Sequence, residues 1–443
     1  MSYKPNIKRL PNFLRYVNKV YGFSDTIHSM SDKREHTEVS AQTIFMSVFM
    51  CMLLGFGSFR RLAFEANNGR IRKFLPSVDK DTYCANTVSN GLENINTDIL
   101  EHELTLVPRK LRRNKAYGTC THPGTIGGLK IVAVDGTEHY RSDAIHCDKC
   151  LEYHIKTNEG IRIEYVHRIV LMQTVGVLDC SSVQTILGAE PILPKDTQGD
   201  EEPSGHEGEG VAARRLIEKM IAFYGNRFFQ VLTTDALYTN EPFVSFVDGL
   251  GKYLVSRVKD QRTTLYKEIE TLSAFVKPVY VNDWEQQLEY WIYEVPSLEV
   301  SLGWDIPVRG FRVIEAQYRI DSGEKIYTKR EIFHCMTTLP TQMADGNVVR
   351  QIIHAKWGIE NNGIKDLKDN WHMEHNFHHH PNATFALLLI MFMAYNLFYA
   401  YVFRHMKSSR LYPLTMKMIV GEMYASYLFW RWPMSWLWFD RKT

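Results

Sequence analysis

Three carboxylates in this sequence stand where they could carry out chemistry on phosphate groups. Asp135 follows the apolar run at residues 129–134, and Asp235 follows a second run at residues 228–233, so each is expected at the end of a buried strand. Glu360 lies in a helical stretch, on the apolar face that is expected to pack inward. Carboxylate oxygens suit Mg²⁺, and two such ions about 3.5–4 Å apart can support hydrolysis or strand transfer at a phosphodiester. We therefore predict a catalytic site that binds two Mg²⁺ (or Mn²⁺) ions.

Each acid also has a purely structural interpretation. Asp135 fits an Asp-Gly turn, and Asp235 fits the N-cap of a short helix at residues 236–238. Glu360 fits an ion pair with Lys356, one helical turn earlier. We favour metal binding at Glu360 because a buried charge needs a partner and the other two acids are predicted nearby.

The elements around the first two acids follow the order of an RNase H-like fold, which is three strands, a helix, a strand, a helix and a strand. The predicted ranges are 129–134, 162–174, 181–192, 210–225, 228–233, 242–249 and 253–258. In this fold the fourth strand lies beside the first. Asp135 and Asp235 are therefore expected to converge.

Four segments are predicted along the chain. Residues 1–125 form a helical domain for DNA binding or dimerisation, and residues 126–259 form the first part of the catalytic core. Residues 260–345 form a β-rich insertion, and residues 346–443 form the rest of the core and the C-terminal helices. The expected fold class is α/β, with an RNase H-like mixed sheet interrupted by the insertion and preceded by an all-helical N-terminal domain.

Composition and charge narrow the class of protein. The chain has 443 residues, of which 45% are hydrophobic and 23% charged, which excludes a disordered or low-complexity protein. The net charge is only +2, but basic residues are concentrated towards the N-terminus. There Arg109, Arg112 and Arg113 are expected to contact DNA phosphates, although a solvated helix face explains the same block. Seven cysteines and an N-terminus without a secretory run favour the cytoplasm.

Two uncharged stretches raise the possibility of a membrane protein. Residues 383–403 are long enough to span a bilayer, and residues 39–59 are also uncharged. Gln42, Ser47 and Asn396 interrupt these stretches, and the mean hydropathy is −0.26. We interpret both as buried core helices and expect no membrane partner. An integral membrane protein is the alternative.

A second group of residues has ligand types that suit zinc. His146, Cys147, Cys150 and His154 form H-C-x-x-C-x-x-x-H. A single C-x-x-C is short of a full ligand set, so a Zn²⁺ site and a pair of reduced thiols both remain open. The histidine-rich run at residues 375–380 is interpreted as a polar loop near the active site.

Three segments resemble the insertion-sequence DDE transposases, specifically the bacterial group with a β-strand insertion before the final Glu. They are VDGTEHYRSDAIHCDKC, LTTDALYTNEPFVSFVDGLGKYLVSRVKD and KWGIENNGIKDLKDNWHMEHNFHHHPNA. The resemblance covers residues 130–405 and implies that Asp135, Asp235 and Glu360 are the metal-binding triad. It further implies a nucleoid-associated homodimer that cleaves and transfers DNA strands at terminal inverted repeats.

The phosphate-binding residues of related families are matched only in part. Those families carry a Tyr, an Arg and a Lys around the last Glu. Here Ile353 stands at the Tyr position, Lys356 at the Arg position, and Lys368 one residue beyond the Lys position. We expect Lys356 and Lys368 to contact DNA. A non-catalytic DNA-binding protein descended from such an enzyme is the alternative function.

Overall fold

The computed structural model describes most of the chain. The described residues are 6–35, 37–76, 82–114, 125–158, 160–176, 184–195, 205–406, 414–434 and 437–438. The first residues of the strand predicted at 181–192 lie outside these ranges.

Six α-helices make up the described part of residues 6–114. They are α1 (Arg9–Tyr21), α2 (Phe23–Ser29), α3 (Ala41–Leu53), α4 (Phe59–Asn67), α5 (Ala85–Asn94) and α6 (Thr97–Arg113), with a 3-10 turn at Ile71–Phe74. α3 begins where the Ser40 side chain accepts a hydrogen bond from the backbone N–H of Thr43, and nearly all of its residues are buried. The predicted helical N-terminal region is confirmed, while its exact boundary stays a prediction.

One mixed sheet contains all eleven strands of the described residues. They are β1 (Thr125–Ile126), β2 (Leu129–Ser142), β3 (Leu151–Thr157), β4 (Gly160–Thr174), β5 (Ile186–Pro191), β6 (Val231–Thr234), β7 (Tyr253–Val258), β8 (Val279–Asp283), β9 (Leu288–Val295), β10 (Arg309–Asp321) and β11 (Glu324–Thr337). The strand order is β3-β4-β2-β6-β7-β11-β10-β9-β8, with β1 paired to β2 and β5 paired to β4.

The core strands pair as an RNase H-like fold requires. β4 is antiparallel to both β2 and β5, whereas β6 lies parallel between β2 and β7. With α7 (Glu209–Tyr224) and α8 (Glu241–Gly249), the predicted order of elements is complete, and the fold class is confirmed. The sequence does not predict β3, because this strand has mostly exposed or half-exposed side chains and no buried apolar run.

The β-rich insertion continues the core sheet. Its strands are β8 to β11, preceded by α9 (Thr264–Ser273) and interrupted by α10 (Glu299–Leu302). Strand β11 pairs antiparallel with β7 of the core, through the register His334↔Val258 to Thr337↔Val255. The insertion is therefore joined to the core by a continuous hydrogen-bonded ladder.

The C-terminal part of the core is helical. α11 (Gly346–Ile359), a π-helical turn (Glu360–Ile364) and α12 (Lys365–Trp371) follow one another directly, and α13 (Pro381–Arg404) and α14 (Met416–Phe429) come after them. By length and composition α13 could cross a membrane, but 83% of its most apolar window is buried inside the protein. It contacts α3, α5 and α6. Such burial is typical of the core helix of a large protein.

Asn396 gives α13 a polar contact with the sheet. Its amide oxygen accepts a hydrogen bond from the backbone N–H of Ile186 at 2.9 Å, and its amide nitrogen donates to the carbonyl of the same residue at 2.8 Å. The Asn396 side chain is fully buried. It therefore satisfies both backbone groups of Ile186 in β5, where water cannot.

Replacing Asn396 by Leu should destabilise the protein. Asn396→Leu leaves a buried N–H and a buried C=O of Ile186 without a partner, at about 1–3 kcal/mol for each group. Urea denaturation followed by circular dichroism measures the loss. The control Leu397→Met, a volume-conserving change at the next buried position, should cost less than about 1.5 kcal/mol. Equal losses in the two variants would show that the hydrogen bonds contribute nothing.

Candidate active site

Two of the predicted acids lie side by side because their strands are parallel neighbours. In the ladder between β2 and β6, Ala133 is paired with Thr233, two residues before Asp135 and Asp235 respectively. Since side chains alternate along a strand, Asp135 lies on the same face of the sheet as Ala133, and Asp235 lies on the same face as Thr233. Asp135 is inside β2, which continues to Ser142, so the prediction that the strand ends at Asp135 is wrong. The extra residues pair with β4 beyond the end of β6.

Two residues in and just after the neighbouring strand β7 contact Asp235. The Ser256 hydroxyl donates to the backbone carbonyl of Asp235 at 2.8 Å, and the Lys259 ammonium lies 2.9 Å from Asp235 Oδ1. A 3-10 turn at Ala236–Tyr238 does follow, but the Asp235 side chain does not make its capping hydrogen bond. Burial favours a higher pKa for Asp235, but the hydrogen bonds from Lys259 and the Ala236 backbone, with the charge of Lys356, hold the pKa below its ordinary value.

Lys356 connects the other two acids. Its ammonium group lies 3.1 Å from Asp135 Oδ2 and also donates to Glu360 Oε1. Its side chain is only 7% exposed. Burial opposes the charge on this lysine, but Asp135 and Glu360 outweigh burial, and the pKa of Lys356 lies above its ordinary value. The ammonium group therefore contacts two of the acids, and its charge also lowers the pKa of the third, Asp235.

Burial makes the ionised form of Asp135 unfavourable. Burial raises the pKa of Asp135 above its ordinary value, Lys356 opposes this, and the negative charges of Glu360 and Glu209 add to it. An additional cation beside this carboxylate would favour its ionised form.

The predicted burial of Glu360 is wrong. Its side chain is 47% exposed, while the buried face of the helix passes through Lys356, Ile359, Gly363 and Leu367. The prediction assumes a regular α-helix. The π-helical turn that begins at Glu360 has more residues per turn, so it shifts the buried face and turns the carboxylate towards the opening of the site.

Two glycines let this helical segment lie directly against β4 and the loop that leads to β5. A Cβ atom on Gly363 would be 2.1 Å from Gln173 Oε1, and one on Gly358 would be 3.0 Å from Gln184 Nε2. From the other side, the hydroxyl group of Tyr395 in α13 donates to a backbone carbonyl of the π-helical turn. The segment that carries Glu360 is thus fixed between the sheet and α13.

Residues 202–397 match the sequence family described as the transposase DDE domain. The chain carries a transposase DDE domain. This confirms the resemblance to insertion-sequence DDE transposases. The matched range contains Asp235 and Glu360, whereas Asp135 precedes it. Proteins of this family bind DNA and generally use divalent metal ions. A search of curated proteins found no match.

One further acid, Glu209, lies beside the candidate site and could not be found from the sequence, because it lies in no apolar run or motif. It is in the first turn of α7, and its side chain is 8% exposed. Its carboxylate accepts hydrogen bonds from Arg168 and from the Tyr238 hydroxyl, each at 2.7 Å. It lies against Gly136, where an added Cβ would come within 2.1 Å of Glu209 Oε2. Glu209 therefore packs against the backbone next to Asp135.

The predicted DNA-binding arginines of α6 lie away from the acids. Arg109 lies over the Tyr224 ring and Arg112 over the Phe228 ring, at 5.9 and 5.4 Å from the ring centres. Arg112 is close enough to Lys130 to lower its pKa, a shift due first to burial. Lys130 is at the start of β2, five residues before Asp135. Arg112 is thus near the start of that strand, and Arg113 is exposed.

Lys368, the other predicted DNA contact, is on α12 with its ammonium 2.7 Å from Glu374 Oε1. The structure therefore brings Lys356 to the three acids but pairs Lys368 with a different carboxylate. The position of Lys356 also matches the structural alternative for Glu360, an ion pair one helical turn apart.

The predicted zinc ligands are only partly brought together. Cys147 and Cys150 have their sulfur atoms 3.8 Å apart. His146 instead stacks on a tyrosine ring, with 4.4 Å between ring centres, and His154 lies 3.7 Å from the carboxylate of Glu152. The two thiols face other histidines, which spacing along the sequence could not identify.

A methyl group at Gly136 should disturb the packing of Glu209 beside Asp135. Gly136→Ala forces Glu209 away from Arg168 and Tyr238, and overpacking of this kind costs about 1–3 kcal/mol. Thermal unfolding of the purified chain measures the effect. The control Gly210→Ala, in the same helix turn as Glu209, meets no described atom within 4 Å and should change stability by less than about 1 kcal/mol. If the two variants have the same melting temperature, the contact with Glu209 does not prevent a side chain at position 136.

Proposed function

We propose that this protein is a DNA transposase that cleaves and transfers strands at the terminal inverted repeats of an insertion sequence. In this proposal Asp135, Asp235 and Glu360 are the catalytic acids. The observation that supports it most is that Lys356 contacts both Asp135 and Glu360, while Asp135 and Asp235 lie on parallel neighbouring strands.

The donor set fits divalent metal ions. Carboxylate oxygens are the ligands preferred by Mg²⁺ and Mn²⁺, and the three acids supply them at one edge of the sheet. The Lys356 ammonium between Asp135 and Glu360 indicates that a cation fits there. We propose that the three acids hold two ions. When bound, such ions stabilise the negative charge that develops on a phosphate during hydrolysis.

The chain's own residues orient the acids and the DNA. Lys259 fixes the Asp235 carboxylate, while the contact of Glu209 with Gly136 supports the strand that carries Asp135. Lys356 is the residue that we propose contacts the scissile phosphate. In the proposed reaction, water attacks the phosphorus at the element's end and the P–O3′ bond breaks, which frees the element's 3′ hydroxyl. This hydroxyl then attacks a target phosphodiester and displaces the 3′ oxygen of the target strand.

The α6 arginines are proposed to bind DNA away from the reaction. Arg112 lies near the start of β2 and Arg109 lies over the Tyr224 ring of α7, so with the exposed Arg113 they suit the flanking part of an inverted repeat better than the scissile phosphate. Lysine and arginine contacts to phosphates provide affinity without reading the sequence. We further propose that two copies of the chain act together on the two ends of the element.

Neutralising each acid should abolish strand cleavage. Asp135→Asn, Asp235→Asn and Glu360→Gln should each reduce the rate by about 10³-fold or more, because several kcal/mol of charge stabilisation are lost. The measurement is Mg²⁺- or Mn²⁺-dependent nicking of DNA that carries the inverted repeats flanking the gene. If any one variant cuts as fast as the unchanged protein, that residue is not catalytic.

A stability measurement separates lost catalysis from lost folding. The pKa of Asp135 is raised in the folded chain, so this group's contribution to stability falls as the pH rises above its unfolded pKa of about 4. Asp135→Asn should therefore melt at neutral pH no lower than the unchanged protein. DNA binding by the unchanged protein without any nicking would support the non-catalytic alternative.

Removing the lysine should make the acids depend on a metal ion for stability. Lys356→Met leaves Asp135 and Glu360 without their shared cation, so the melting temperature without Mg²⁺ should fall by several degrees. Added Mg²⁺ should raise it more than in the unchanged protein, since no ammonium has to be displaced. Lys365→Met, at an exposed position of the same segment, is the control. Equal Mg²⁺ responses in the two variants would argue against ion binding beside Lys356.

A further inference from the structure

Four side chains from three separate segments converge outside the acid site. Cys147 and Cys150 lie in the loop between β2 and β3, His167 is in β4, and His379 comes two residues before α13 begins. One ligand atom from each lies within 4.8 Å of all the others. We propose that these four residues bind one structural Zn²⁺ ion.

The distances between the ligand atoms fit tetrahedral coordination. Zn–S bonds of about 2.3 Å and Zn–N bonds of about 2.0–2.1 Å place two sulfur ligands about 3.8 Å apart, and a sulfur and a nitrogen about 3.5 Å apart. The two thiol sulfurs are 3.8 Å apart. His167 Nε2 is 3.4 Å from each sulfur, and His379 Nε2 is 3.2 Å from Cys150 Sγ.

The chemistry of the cluster selects zinc over the ions proposed for the acids. Two thiolates and two imidazoles are the ligands of closed, four-coordinate zinc sites, whereas Mg²⁺ prefers oxygen. The sulfur atoms are far beyond the bond length of about 2.05 Å in a disulfide. The cluster is also partly or fully buried, which limits exchange of a bound ion with solvent.

Such an ion would connect the two halves of the core. The cysteine loop follows β2, the strand that contains Asp135, and His379 follows α12 in the segment that carries Glu360. Bound zinc therefore joins the catalytic strand to the end of this helical segment. The zinc site itself does not depend on the proposed function, whereas its role in positioning the acids rests on it.

Metal analysis of the full-length chain tests the site. Purified protein, passed through a desalting column, should contain one zinc ion per chain by inductively coupled plasma mass spectrometry. Cys147→Ser, Cys150→Ser and His379→Ala should each lose most of this zinc. His146→Ala, His154→Ala and Cys84→Ser should retain it, because their side chains are outside the cluster.

Two further measurements test the site even if the Ser or Ala variants do not fold. They are Co²⁺ binding by the unchanged chain and zinc binding by a variant that exchanges one ligand for another. Chelator-treated protein should bind one equivalent of Co²⁺, with the thiolate-to-cobalt absorption of a tetrahedral sulfur site, and re-adding Zn²⁺ should restore its melting temperature. His379→Cys should still bind zinc, as Cys₃His sites do.

Three results would overturn the site. They are an unchanged protein that binds neither zinc nor cobalt, zinc that is retained in Cys147→Ser, and zinc that is lost only in the His146 and His154 variants. None of these measurements depends on DNA cleavage, so failure of the zinc site and failure of the proposed function are distinguishable.

Discussion

Carboxylates that lie together at the edge of a buried sheet repel one another unless a cation lies between them. In this protein the cation is the ammonium group of Lys356, which contacts Asp135 and Glu360 and acts electrostatically on Asp235. Burial raises the pKa of Asp135 against the effect of Lys356, so an additional cation beside this carboxylate would favour its ionised form. The proposed function requires such cations.

The surrounding strands and helices set the positions of the three acids. Parallel pairing of β2 and β6 sets Asp135 beside Asp235, and the α11 to α12 segment is fixed between β4 and α13. The apolar helix α13 therefore helps to fix the segment that carries Glu360. Its Asn396 satisfies backbone groups of β5, which explains a polar residue in an otherwise apolar stretch.

The sequence predicts those features that depend on local pattern. Apolar runs and turn residues locate the core strands, and knowledge of the fold then places Asp135 beside Asp235. The exposure of Glu360 could not be predicted, because the spacing of apolar residues does not reveal the π-helical turn that begins at this residue. His167 and His379 could not be predicted as partners of the two cysteines either. They lie beside Cys147 and Cys150 only because the sheet and the C-terminal segment pack together.

The most direct test of the account is the position of a bound ion. Crystals of the protein soaked in Mn²⁺ would give an anomalous diffraction signal at each manganese. The account predicts peaks within about 2.0–2.6 Å of oxygen atoms from Asp135, Asp235 and Glu360, with the Lys356 ammonium displaced from between the carboxylates. An ammonium that still bridges Asp135 and Glu360 at saturating Mn²⁺, with no peak beside the three acids, would contradict it.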